Sequence, residues 1–179
     1  MFRVEPTELA GAFVITLPVF EDERGSFIKT FQHSALQKAG IEFELKESYF
    51  SVSRKNVIRG MHFQVPPHEH AKIVFCPYGN ILDVIVDLRK DSSSFGKFIS
   101  VELTGGNHKA LYIPPGFAHG FCAREEGSVT YYLVSSEHDK ESDAGIMFDS
   151  FGMEWGIKHP VVSARDLSFP RLENWESVF

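Results

Sequence analysis

Cysteine is scarce in this 179-residue chain: only Cys76 and Cys122 occur, outside any C-x-x-C arrangement. That excludes a disulfide framework and a metal site built on paired cysteines. It also points to a reducing compartment, with the cytoplasm as the expected location. Positive charge is in deficit as well. A formal net charge of −6 argues against generic binding to nucleic acid or an anionic membrane, while leaving room for a local basic pocket that holds a small anion. Long apolar runs are missing. The run G-A-F-V-I-T-L-P-V-F is too short to span a bilayer, is interrupted by Pro18 and has no basic segment ahead of it. There is no Gly-rich phosphate loop, no G-x-S-x-G elbow and no H-E-x-x-H helix, so P-loop, serine-hydrolase and zincin chemistry have no support.

What the chain has is aromatic and strand-like. Phenylalanine occurs 17 times, runs of helix-favouring residues are few, and that bias leans toward strands. At 43% hydrophobic, the length suits one domain over residues 1–179 with a substantial core. Strand-like runs recur at 12–20, 24–31, 43–53, 57–63, 71–77, 80–88, 97–104, 110–114, 118–123 and 128–136, separated by turn signals such as P-Y-G-N and T-G-G-N. This spacing predicts an antiparallel sandwich or barrel. Residues 33–39 before Gly40 read as a short helix, and the loop-rich C-terminal third has room for one more. Along 80–88, alternation sets Leu82, Val84, Val86 and Leu88 on one face and Asp83 and Asp87 on the other. In 128–134, Thr130 and Tyr132 share a face.

The segment V-I-R-G-M-H-F-Q, residues 57–64, sets Arg59 and His62 inside a strand-like run. Burying such groups without partners is costly. His62 reads either as a general base, best oriented by a carboxylate, or as a core histidine bonded to a carbonyl. Regular pairing puts Arg59 on the opposite face, but Gly60 permits a bulge that turns both toward one site, with Arg59 as a fork for phosphate oxygens. His68 and His70 form an H-x-H pair that reads as a metal site or as a solvated loop. Lys72 is a surface charge or the cation at an enolate or phosphate oxygen. His119, in P-P-G-F-A-H-G-F, is a pocket residue or a tight-turn histidine. Tyr132 is a strand aromatic or a proton donor. Asp166 reads on its own as a loop residue, and Asp87 with Arg89 as a surface or strand-end pair.

Several segments in order carry a resemblance: D-E-R-G at 22–25, N-V-I-R-G-M-H-F-Q at 56–64, K-I-V at 72–74, D-V-I-V-D-L-R-K at 83–90, S-F-G-K at 94–97, Y-I-P-P-G-F-A-H-G-F at 112–121 and S-A-R-D at 163–166. From about residue 12 to 170 the chain resembles the dTDP-4-dehydrorhamnose 3,5-epimerase family, the cofactor-free epimerases of deoxysugar biosynthesis. The resemblance implies an all-β, cupin-type jelly-roll barrel with short peripheral helices, a homodimer, and a substrate that is a nucleotide-linked 4-keto-6-deoxyhexose. It implies neither metal nor cofactor. His62 would remove the proton next to the C4 ketone, Asp166 would orient His62, Lys72 would stabilise the enolate oxygen, and Tyr132 would return a proton on the opposite ring face. Arg59 and His119 would line the sugar and phosphate site. Arg24 would reach the nucleotide from the partner subunit.

The chain departs from the family's pattern at Lys29 (usually Glu), at Glu47 and Tyr49 (usually Gln and Asn), at His70 (usually Gln) and at His138 (usually aromatic). These positions would face the nucleotide and the site entrance, so a different nucleotide or sugar becomes a hypothesis. Two other classes compete: a metal-dependent cupin oxygenase or isomerase using His68, His70 and His119, and a catalytically silent sugar-nucleotide-binding module.

Overall fold

The computed structural model describes residues 1–179. Thirteen strands follow in chain order: β1 (Arg3–Pro6), β2 (Phe13–Thr16), β3 (Val19–Asp22), β4 (Gly25–Ile28), β5 (Glu47–Ser53), β6 (Ile58–Gln64), β7 (Lys72–Tyr78), β8 (Asn80–Asp87), β9 (Phe98–Thr104), β10 (Lys109–Ile113), β11 (Phe117–Ala123), β12 (Ser128–Val134) and β13 (Asp143–Gly145). The helix α1 (His33–Lys38) lies between β4 and β5. It buries Leu36, and Gly40 follows with φ +78, a left-handed stop that glycine tolerates. Two short 3₁₀ turns, Asp166–Ser168 and Leu172–Asn174, sit in the C-terminal segment. No helix is long and apolar enough to cross a membrane.

The strands form a six-stranded sheet ordered β1-β2-β10-β7-β12-β5, a five-stranded sheet ordered β13-β6-β11-β8-β9, and the separate hairpin β3-β4. All pairings between these strands are antiparallel. The architecture is the cupin-type jelly roll. The apolar run at 12–20 is two strands rather than one, because Pro18 has no N–H to donate and the chain turns there. β1 and β13 fall outside the expected runs: R-V-E-P and D-A-G are too short and polar to show alternation.

Three apolar clusters explain the layering. Val74, Leu111, Ile113 and Val134 from one sheet meet Ile81, Ile85, Leu103 and Phe121 from the other. On the outer face of the six-stranded sheet, Leu36, Ile41 and Phe43 cover Ile15, Ile73 and Leu133. The outer face of the five-stranded sheet, with Ile58, Val84, Val86 and Leu88, is covered by C-terminal residues including Ile146, Trp155, Leu172 and Trp175. Strand β8 is therefore buried on both faces, and Asp87 with it. Asp87 is no surface residue: its carboxylate is fully buried and accepts hydrogen bonds from Arg89, Ser92 and Ser94. Those donors hold it down to about 2 against the opposing effect of burial.

One irregularity positions the site. Between β6 and β11, His119 pairs with His62 and Phe121 with Arg59, so three residue steps on β6 match two on β11. The extra residue is a bulge at Gly60, where φ is +130 and a Cβ would lie 2.5 Å from the Gly120 Cα. Arg59 and His62 thereby reach the same cavity.

Candidate active site

That cavity, of about 400 Å³, lies between the sheets. One wall carries Glu47, Tyr49 and Ser51 from β5, Lys72 from β7, and Tyr132 and Val134 from β12; the other carries Arg59, His62 and Gln64 from β6 and His119 from β11. Ser136, His138, Asp143 and Arg165 close its rim.

His62 is the hub of the second wall. Its Nε2 lies 2.8 Å from Asp166 Oδ1, and the Gly60 N–H donates to Asp166 Oδ2 at 3.1 Å. Burial opposes ionisation of Asp166, but the bonds from His62 and Gly60 prevail and hold the carboxyl below its usual range. A carboxylate only accepts, so the Nε2 proton belongs to His62 and the lone pair stands on Nδ1. The ring is also met edge-on by Phe169 at 5.8 Å, and the Arg165 guanidinium stacks over Phe169 while donating to Asp143 at 2.6 Å.

Across the cavity, Lys72 is buried and donates to the His62 carbonyl at 3.2 Å. Burial pulls its ammonium down to about 8, with Asp143 and Asp83 pulling the other way. Tyr132 is buried too, and burial, reinforced by Tyr49 and Asp83, pushes its phenol well above the ordinary value. It stays protonated and able to donate. Tyr49, paired with Tyr132 in register, stacks on it. Desolvation, with Glu47 and Asp143, pushes the Tyr49 phenol up to about 12.

His119 donates from Nε2 to Asp83 Oδ1 at 2.7 Å, with Asp83 wholly buried and His119 buried but for an edge on the cavity. Burial pushes the Asp83 carboxyl up and the His119 imidazole down. Sequence reasoning gave Asp83 no role; its signal was a carboxylate on the strand face that also carries the buried Ile81 and Ile85. Gln64 escaped notice as well. Its amide donates to the His68 carbonyl at 2.7 Å and contacts His70 Nδ1 at 3.1 Å, and its oxygen accepts from the Asp139 N–H at 2.7 Å. It ties two loops to the floor of the cavity, and the signal was its place two residues after His62, on the same strand face.

Of the residues singled out from sequence, His62, Lys72, Tyr132, Arg59, His119, Glu47, Tyr49, His70 and His138 line this one cavity, with Asp166 directly behind His62. Arg59 donates to Ser53 Oγ at 3.1 Å, and Glu47 accepts from the His138 N–H at 2.8 Å. Burial, then Lys72, pushes His70 down to about 3. Arg24 and Lys29 lie elsewhere. Arg24 sits in the β3–β4 hairpin turn, bonded to Asp22, and Lys29 borders a separate hollow with Phe2, Val4 and Lys38. His68 is exposed in its loop, and no three His, Cys, Asp or Glu side chains are grouped to hold a metal ion. The set His68, His70 and His119 does not assemble.

The model of the family described as dTDP-4-dehydrorhamnose 3,5-epimerase matches residues 6–174. The dTDP-4-dehydrorhamnose 3,5-epimerase of Shigella flexneri is 36% identical over 169 residues, covering 93% of each chain. The crystal structure of the enzyme of that name from Sulfolobus tokodaii is 41% identical, with a TM-score of 0.92 over 98% of both chains. A dTDP-6-deoxy-D-glucose-3,5-epimerase from Legionella pneumophila, solved in complex with dTDP-4-keto-L-rhamnose, superposes with a TM-score of 0.94 at 28% identity, covering 98% of this chain and 95% of that one. With its jelly roll, its two-walled cavity and these likenesses together, the chain belongs to the dTDP-4-dehydrorhamnose 3,5-epimerase family of nucleotide-sugar isomerases.

Proposed function

We propose that this protein inverts C3, C5 or both in a dTDP-linked 4-keto-6-deoxyhexose by proton transfer through an enolate. The observation that carries the reading is the placement of a histidine–aspartate pair and a protonated tyrosine on opposite sheets facing one cavity. A ketone acidifies the adjacent C–H bonds, so a base, an acid and an oxyanion stabiliser suffice. His62 Nδ1 takes the proton from the carbon next to C4, and the electron pair moves onto the C4 oxygen. The Lys72 ammonium offsets that charge. Tyr132 then delivers its hydroxyl proton to the opposite face of the same carbon. The phenolate recovers a proton from water and His62 releases its own, so the net change is isomerisation.

Arg59 and His119 hold the sugar and phosphates, while Glu47, Tyr49 and His138 border the nucleotide end. Arg24 and Lys29 serve the cavity of a partner subunit in a homodimer. The surface supports this. Strand β5 ends its sheet unpaired and leaves Phe50 and Val52 exposed, and the β3–β4 hairpin exposes Phe20 and Phe27 on either side of Arg24. Apolar patches of this kind mark association surfaces.

The test is proton exchange in deuterated water with dTDP-4-keto-6-deoxyglucose, followed by NMR. Deuterium entering C3 or C5 with formation of the inverted sugar is expected from the wild type and not from His62→Ala. Full product formation by His62→Ala would refute the assignment. Calorimetry with dTDP, UDP, CDP and GDP addresses the departures at Lys29 and Glu47: dTDP is expected to bind tightest, and equal or tighter binding of another nucleotide overturns the dTDP assignment.

A further inference from the structure

The cavity holds a second phenol that this proton-transfer scheme leaves without a task. Tyr49 stands directly opposite Tyr132 in the antiparallel pairing of β5 with β12, and residues so paired point to the same face. Their rings stack at 4.7 Å with 23° between the planes. The other side of Tyr132 meets the His119 ring edge at 5.8 Å and 77°. Tyr132 is thus held between two rings of different character. His119 is buried and anchored to Asp83. Tyr49 is 41% exposed and stands on a strand that has no neighbour beyond it. It is nonetheless fixed in register, because the next pair along, Phe50 and Tyr131, stacks on the outer face at 6.2 Å and 13°, and Tyr131 stacks in turn on Phe75 at 5.1 Å.

We propose that Tyr49 is a positioning residue for Tyr132: by stacking on its ring it sets where the phenolic hydroxyl stands over the hexose, and so decides whether an enolate is returned inverted or unchanged. In inversion the Tyr132 O–H bond breaks as a new C–H bond forms on the far face of the enolate carbon. The carbon's electron pair comes from the enolate, and the phenolate is reprotonated by water. When His62 returns the proton instead, the original centre is restored, carrying deuterium if the proton has exchanged with solvent. A reacting group displaced by about 1 Å loses rate by about 10²-fold, so a loosened Tyr132 shifts this partition toward return by His62.

The inference rests on the reading of the cavity above, and the experiment separates the two. Wild type, Tyr49→Phe and Tyr49→Leu are incubated with dTDP-4-keto-6-deoxyglucose in deuterated water. NMR then gives the ratio of inverted product to sugar deuterated without inversion. The ratio is expected to stay near the wild-type value in Tyr49→Phe, which keeps the ring, and to fall by about tenfold or more in Tyr49→Leu. An unchanged ratio in Tyr49→Leu, with inversion and exchange falling together, would overturn the proposal and make Tyr49 a binding residue only. A second measurement needs no substrate. In the free protein the Tyr132 ring protons are expected upfield through the ring current of Tyr49, and to move downfield in Tyr49→Leu; no movement overturns the proposal. Wild-type protein that takes up no deuterium would sink the reading of the cavity, and the ring-proton shifts would still decide whether Tyr49 sets the Tyr132 ring.

Discussion

Asp83 and His119, 36 residues apart in the chain, share a 2.7 Å hydrogen bond that neither solvent nor any other side-chain partner reaches. The second oxygen of Asp83 has no partner at all. Removing one member of such a pair strands the other. Asp83→Ala is expected to lower stability by about 3 kcal/mol, read as a lower urea midpoint at constant m-value, with Asp83→Asn in between. A midpoint equal to wild type in Asp83→Ala would show that the pair contributes nothing to folding.

The pairing of His62 with Asp166 yields a kinetic expectation. Asp166→Asn keeps an acceptor for the Gly60 N–H but no longer specifies the tautomer that leaves Nδ1 basic. Deuterium uptake next to the ketone is expected to fall by about 10²–10⁴-fold. Tyr132→Phe is expected to do the reverse: exchange continues and inversion is impaired. Loss of both in Tyr132→Phe would remove the separation of base from acid.

Lys72 makes the protein sensitive to alkali. Its ammonium, drawn down to about 8 by burial, is the form that offsets enolate charge, so kcat is expected to decline above about pH 8. Stability moves the other way. An unfolded lysine keeps its proton up to about 10.5, so between these values the unfolded chain binds more protons and this group alone makes stability rise with pH. Lys72→Met is expected to be more stable than wild type below pH 8, with the gain shrinking toward pH 10.5. Unfolding curves across pH 7–10 check this; a gain that is constant or grows would contradict it.

The close approach of Gly60 and Gly120 leaves no room for a methyl group. A Cβ on Gly60 would sit 2.5 Å from the Gly120 Cα, at a φ of +130 that side chains rarely adopt. Gly60→Ala is expected to cost roughly 3 kcal/mol or more, beyond the usual range for single substitutions. It should also abolish activity in whatever folded fraction remains. A Tm within about 2 °C of wild type would show that the bulge relaxes freely.

Much of this was legible in the chain, for identifiable reasons. Period-2 alternation around Val84 and Val86 and around Tyr132 places those side chains correctly, because a strand's pleat fixes which face each residue occupies. The Arg-Gly-Met-His segment and Gly60 announced a bulge through the one residue that tolerates it. Partnerships across long stretches of chain were not legible. Nothing local tells Asp83 to meet His119, Phe169 to pack on His62, or Gln64 to tie residues 68 and 139 together. Asp87 does pair with Arg89 at the strand end, but its burial was not legible, because two of its donors, Ser92 and Ser94, arrive by a tight turn over Arg89–Ser94.

Asp166 reaches His62 on the segment that also lays Ile146, Trp155 and Trp175 over the outer sheet. Contacts between residues 104 apart close long loops, whose entropic cost is met before any reward. The barrel can therefore be complete while its base still lacks orientation. In a refolding experiment, the return of catalytic competence is expected to report the docking of that segment onto the outer sheet.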